Sequence, residues 1–154
     1  MFREMRRKDR KLSTDKTKEL LKNSEYGVLS TMADNDYPYG VPVHYVFIED
    51  SIYIHCAAEG QKLDGIRKNP KVSFCVIGST EVLPQEFSAK YESVIAFGKA
   101  TELQGEEKKA ALVLILEKYA KEYMSEGKRE ITKVGNAVSI IQISIEHMTG
   151  KARK

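Results

Sequence analysis

The sequence predicts a mainly β, α+β domain: six antiparallel strands in a closed or partly closed barrel, with about three helices packed outside. Three observations carry this. Runs rich in valine, isoleucine, tyrosine and phenylalanine recur along the chain, joined mostly by turns too short for parallel crossovers. Only one long stretch keeps a helical rhythm, through Leu112, Ile115, Leu116, Tyr119 and Tyr123. The 154 residues, 42% hydrophobic and 31% charged, suffice for one domain with its own core. So many short strands in so small a chain favour a barrel over an open sheet.

The chain opens on a basic arm, residues 1–12, where Arg3, Arg6, Arg7, Lys8, Arg10 and Lys11 outnumber Glu4 and Asp9. The whole chain carries a formal charge of +3, so the remainder is close to neutral. Such an arm suits solvent or a subunit contact, and no nucleic-acid-binding motif accompanies it. A single domain follows over residues 13–150, then a short basic tail over 151–154. Ser13 and Thr14 are candidate N-caps for a short helix carrying Leu20 and Leu21. Tyr26–Met32 reads as the first strand, and Asp34-Asn35-Asp36 as a hairpin turn. Tyr39–Ile48 reads as one long second strand. Pro42 within it removes a ladder donor, which marks an edge, a bulge or backbone facing a ligand.

Ile52–His55 is the third strand, paired back on the second. It leads into His55-Cys56-Ala57-Ala58-Glu59-Gly60-Gln61-Lys62 and a short helix from about Gln61 to Lys68. A strand end, a glycine loop and a helix N-terminus bearing a lysine make a natural anion pocket. An ordinary strand-to-helix connection is the alternative reading. Strands over Val72–Ile77 and Tyr91–Thr101 follow, then the rhythmic helix, a polar stretch over Ser125–Asn136, a last strand over Val138–Ile145 and a polar tail.

Among chemistry-bearing residues, His55 borders the anion loop, where an imidazole suits a ring-edge contact, proton exchange or a structural role. Cys56 beside it points to the opposite face of the strand, against a paired nucleophile. No metal-type Cys/His spacing occurs, and two cysteines are too few for a disulfide framework. The longest apolar run falls short of a membrane span and no signal-peptide pattern opens the chain, so a cytoplasmic protein is expected.

Several stretches together resemble the pyridoxamine-phosphate-oxidase-related flavin-binding proteins. They are Tyr26-Gly27-Val28-Leu29-Ser30-Thr31, Tyr37-Pro38-Tyr39-Gly40-Val41-Pro42-Val43-His44-Tyr45, His55-Cys56-Ala57 and Glu59-Gly60-Gln61-Lys62-Leu63-Asp64. Later pieces are Asn69-Pro70-Lys71-Val72, Thr80-Glu81-Val82-Leu83-Pro84, Tyr91-Glu92-Ser93-Val94 and the ending Ile145-Glu146-His147-Met148-Thr149-Gly150-Lys151. Within the family the pattern is most similar to the nitroimidazole-resistance branch. The resemblance implies a six-stranded antiparallel split β-barrel forming a homodimer, with FMN at the interface. It implies that Val41, Pro42 and Val43 line the flavin ring with their backbone, that His55, Cys56 and Ala57 flank the ring and ribityl chain, and that Gly60, Gln61 and Lys62 hold the phosphate. Tyr91 and Ser93 would come from the other subunit.

The implied activity is that of an FMN-dependent, nitroreductase-like oxidoreductase, with His55 as the catalytic contact. It would pass electrons from a reduced donor to a small planar acceptor. A flavin- or haem-binding module without turnover is the alternative. Two departures stand out: Gln61 replaces a histidine and Gly65 an asparagine of many branch members. The oxidases' phosphate-binding arginines correspond to Val41 and Gln61, and their arginine-rich C-terminal motif has no counterpart, so oxidation of pyridoxamine phosphate is not expected.

Overall fold

The computed structural model describes residues 1–154 and contains one antiparallel sheet of seven strands. In chain order the elements are α1 (Thr14–Asn23), β1 (Tyr26–Met32), β2 (Pro38–His44), β3 (Val46–Ile48), β4 (Ser51–Ala57) and α2 (Gln61–Lys68). Then come β5 (Lys71–Leu83), β6 (Ser88–Leu103), α3 (Gly105–Tyr119), α4 (Met124–Val134) and β7 (Val138–Arg153). The sheet order is β2-β1-β5-β6-β7-β4-β3.

Two expectations are corrected here. The sheet has seven strands rather than six, and no ladder closes it into a barrel. Both differences have one cause. The run Tyr39–Ile48 is not one strand, because it breaks at Tyr45. Its first part, β2, pairs with β1, and its last part, β3, pairs with β4 at the opposite edge of the sheet. The two terminal strands of the sheet are thus joined by a single residue, which brings the edges together at one corner and leaves a seam beyond it.

Tyr45 is fixed at this corner from every side. Its side chain is fully buried, and its hydroxyl donates to the Leu21 carbonyl at the end of α1. Its N–H donates to the Tyr119 hydroxyl at 3.0 Å. Its carbonyl accepts from Lys118 Nζ at 2.9 Å, and that ammonium lies 3.9 Å from the centre of the Tyr45 ring. Local β propensity favours continuing the strand. Burial of a large aromatic and saturation of its polar atoms outweigh that preference.

The main core fills the inside of the curled sheet. Alternate residues of β1, β4, β5, β6 and β7 (among them Leu29, Ile54, Phe74, Val94 and Ile141) meet Leu21 of α1 and Leu63 and Ile66 of α2. The α1 cap is as expected: Ser13 Oγ accepts from the Lys16 N–H at 3.2 Å. A smaller cluster of Val46, Leu103, Ala111, Ile115 and Ile140 seats α3 against β3 and the adjoining ends of β6 and β7.

The helices number four, and the polar stretch after Tyr123 is α4, which has no buried residue. The segment after Ile145 continues β7, pairing Thr149 with Ile95 and Lys151 with Ser93. The basic arm lies along this part of the sheet: the Leu12 N–H donates to the Gly150 carbonyl at 2.9 Å, and Phe2 stacks on His147 at 4.9 Å and on Phe97 at 5.4 Å. No helix is long and apolar enough to cross a membrane.

Candidate functional site

The seam between β2 and β4 is where pairing stops. β2 pairs only with β1, and β4 pairs with β3 only from Ser51 to Tyr53. The facing edges of Val41–His44 and Ile54–Ala57 therefore carry backbone groups outside any ladder. Val41 and Val43 pack against the core, while Pro42 between them is exposed. Val41 and Val43 thus turn their side chains inward, and Pro42, which has no N–H to donate, turns its ring outward.

On β4 the alternation separates His55 from Cys56. Cys56 is buried in the core, and burial pushes its thiol pKa up, with Lys62 opposing. A thiol held in that way is a poor nucleophile. His55 and Ala57 turn outward. Partial burial, then the nearby His44 and Lys62, hold the His55 imidazole below its ordinary pKa, which favours the neutral ring.

Ala58 and Glu59 lead to Gly60, whose φ of 150° is a conformation that L side chains rarely adopt. Gly60 is the N-cap of α2 and is exposed. The first intrahelical bond runs from the Asp64 N–H to the Gly60 carbonyl at 3.1 Å, so the amides of Gln61 and Lys62 precede the helical ladder. Lys62 is half-buried and near enough to both His55 and Cys56 to influence their protonation. Its neighbour Arg67 is engaged with Glu102 at 2.6 Å and Asp64 at 3.9 Å.

One departure from the family pattern has a local explanation. A Cβ on Gly65 would stand 2.7 Å from the Met32 carbonyl oxygen, so α2 lies on β1 too closely for any side chain there. The glycine brings the helix down onto the sheet. The donor set around the loop matches what a flavin phosphate requires: a glycine N-cap open to close approach, free helix N-terminal amides, one cation and adjoining unpaired strand edges.

Not all expected residues come together within one chain. Val41–Val43, His55–Ala57 and Gly60–Lys62 share the seam and its α2 end. Tyr91 and Ser93 lie elsewhere, on the outward face of β6. Tyr91 pairs with Arg153 at the far end of β7 from Ile140, the partner of His55. That separation is roughly 40 Å of strand at about 3.3 Å per residue. The Tyr91 hydroxyl accepts from Arg10 at 3.0 Å, and Lys151 Nζ lies 5.4 Å from the ring centre; the two cations lower the phenol's pKa.

The structure also adds residues that sequence reasoning passed over. A cavity of about 510 Å³ opens between the β2 and β4 ends and the α3–α4 pair. His44 and His55 both line it, with Leu116, Tyr119, Ile131 and Val138 among the rest. The His44 ring lies 5.1 Å from that of Tyr119, tilted by 56°. The available signal was parity: His44 stands two residues after the exposed Pro42, on the same face of β2.

Comparisons with known proteins agree with this architecture. The chain matches a candidate 5-nitroimidazole antibiotic resistance protein of Bacteroides thetaiotaomicron at 22% identity and a TM-score of 0.75, over 92% of this chain and 86% of that one. A conserved hypothetical protein of Mycobacterium tuberculosis matches at 21% identity and a TM-score of 0.82, over 97% and 90%. An FAD and heme binding protein of Mycobacterium smegmatis matches at 16% identity and 0.77, over 92% and 72%. At such identities these structures establish a shared fold. No curated protein matches. The family profile described as pyridoxamine 5'-phosphate oxidase matches residues 13–152, nearly the whole chain, and the chain therefore belongs to that family.

Proposed function

We propose that this chain is an FMN-binding flavoprotein that works as a small oxidoreductase, passing electrons from a reduced donor to a small planar, electron-poor acceptor of the nitroaromatic type. The observation that carries the reading is the placement of the Gly60–Lys62 loop at the end of the unpaired β2–β4 seam. The loop supplies amides and a cation to a phosphate. The seam supplies the unpaired backbone groups of β2 and β4, along Val41–Val43 and up to Ala57, to the polar edge of a planar ring. Flavin, when bound, supplies the electron-transfer chemistry. The protein's share is to hold the ring, exclude water and present His55 as a neutral imidazole beside it.

The reading includes a homodimer, since Tyr91 and Ser93 can join the seam only from a second copy. The outward face of β5 and β6 favours such a contact: Ile77, Ile95 and Phe97 are 64%, 43% and 38% exposed and share one side of the sheet.

The test is spectroscopic. Purified protein reconstituted with FMN is mixed anaerobically with NAD(P)H, and a nitroaromatic is then added. Bleaching of the flavin followed by reoxidation is expected; the absence of any flavin complex would overturn the reading. A second reading, a flavin- or haem-handling module without turnover, is favoured by the two histidines facing one apolar cavity and by the likeness to an FAD and heme binding protein. A Soret band and no bleaching by any donor would decide for it.

A further inference from the structure

We infer that the cavity beneath the α3–α4 pair is the acceptor's own pocket and takes an uncharged, planar aromatic molecule, with His44 and His55 donating to its polar edge. This rests on the flavin reading for the source of electrons, but the binding itself does not.

Four observations lead there. The volume of about 510 Å³ lies inside the roughly 300–1,000 Å³ range of small-ligand sites. The walls are largely aliphatic, and the tilted His44–Tyr119 pair offers aromatic surface at one side. Among the lining residues only Glu25 and Glu130 are charged, and both are acids, which disfavours an anion. Finally, α4 is an amphipathic helix without a core partner. It buries no residue, and its half-buried Ile131 and Val134 both line the cavity. Close packing at one point holds it over the space, since a Cβ on Gly127 would stand 2.3 Å from Leu116 Cδ1. An apolar stripe that faces a void instead of a core is completed by an apolar ligand.

The chemistry of recognition follows. A flat ring fits between the aliphatic residues of α4 and the outward face of β4, and a ring nitrogen or nitro oxygen accepts from an imidazole N–H. A carboxylate on the same ring would be brought beside two acids and stripped of water without compensation.

The pocket is tested with two probes of one shape, 4-nitrobenzyl alcohol and 4-nitrobenzoate, titrated calorimetrically into the protein with and without FMN. The alcohol should bind saturably at one site, and the carboxylate about tenfold more weakly or worse. Ile131→Trp and Val134→Phe fill the cavity from a helix that contributes nothing to the core. Each should weaken alcohol binding by about tenfold while FMN affinity and the thermal midpoint stay unchanged. Equal binding of both probes, or undiminished binding in both variants, overturns the pocket. Loss of FMN affinity in these variants also overturns it, because the cavity would then hold the flavin. Failure of the wild type to bind FMN strikes the flavin reading alone, since the titration of flavin-free protein still reports on the cavity.

Discussion

Two regions of this sheet are built in opposite ways. Across β5, β6 and β7 the ladders are long: β6 pairs with β5 from Lys71↔Lys99 to Leu83↔Ser88 and with β7 from Tyr91↔Arg153 to Leu103↔Ile140. Inward residues such as Val76, Val94 and Ala96 are almost wholly buried. At the other side, β2 and β4 face each other with no ladder, bridged only through Tyr45. The first region satisfies its backbone internally and leaves an outer face on which Ile77, Ile95 and Phe97 stand exposed among polar side chains. The second leaves its backbone groups free to meet something else. The paired region is a platform, and the candidate chemistry sits where pairing ends.

The contrast can be broken most forcefully at the corner. Tyr45→Ala removes a fully buried aromatic and should cost about 3–5 kcal/mol of stability in urea denaturation, whereas Tyr45→Phe, losing one hydrogen bond, should cost about 1 kcal/mol. A loss under about 1 kcal/mol for the alanine variant would mean that the seam is held elsewhere.

The platform's outer face is tested next. Ile95→Lys leaves the core untouched and should convert a dimer to a monomer by light scattering, weakening flavin binding with it by about 2 kcal/mol, the scale of an interface hot spot. An unchanged mass and an unchanged flavin affinity would remove this face from the site. Lys62→Ala should weaken FMN binding by roughly 1–3 kcal/mol without shifting the thermal midpoint, as expected for a charge-assisted contact. An unaltered dissociation constant would detach the loop from the phosphate.

The smallest effect concerns pH. Because the folded protein holds the His55 pKa below its ordinary 6.5, the unfolded chain binds the proton first as pH falls. The stability tied to the neutral imidazole is present in full above pH 6.5 and is lost as the pH drops through the folded value. Wild type should therefore lose more stability than His55→Gln between pH 7 and 5, by less than about 1 kcal/mol, since the ring is partly exposed. Parallel stability curves for the two proteins would contradict the lowered pKa of this imidazole.

Much of this could be read from residue order. The β-rich runs, the Ser13 cap, the strand-to-helix loop at Gly60 and the division of His55 from Cys56 all follow from local rules of period and capping. What escaped reading is decided at a distance. Nothing in Tyr39–Ile48 breaks the strand locally; the break depends on α1 and α3 supplying partners to Tyr45. The helix α4 hid because its apolar residues, Met124, Ile131 and Val134, are sparse and interrupted by Gly127, and because it covers a cavity instead of a core. The C-terminal half of β7 looked like a tail because Glu146, His147, Thr149 and Lys151 are polar. Its place comes from the β6 ladder. His44 takes no site role from the sequence, because only the fold brings it beside His55.

The one-residue link at Tyr45 has a mechanical consequence. His44 and Val46 are neighbours of the same residue, so their Cα atoms cannot stand more than about 7 Å apart however the rest of the molecule moves. Val41 lies four residues back along β2, and Ala57 four residues on from Tyr53, the partner of Val46. The two edges therefore behave as the arms of a pair of tweezers joined at the tyrosine. They cannot part at the joint, and any widening grows toward the end where Gly60 begins α2.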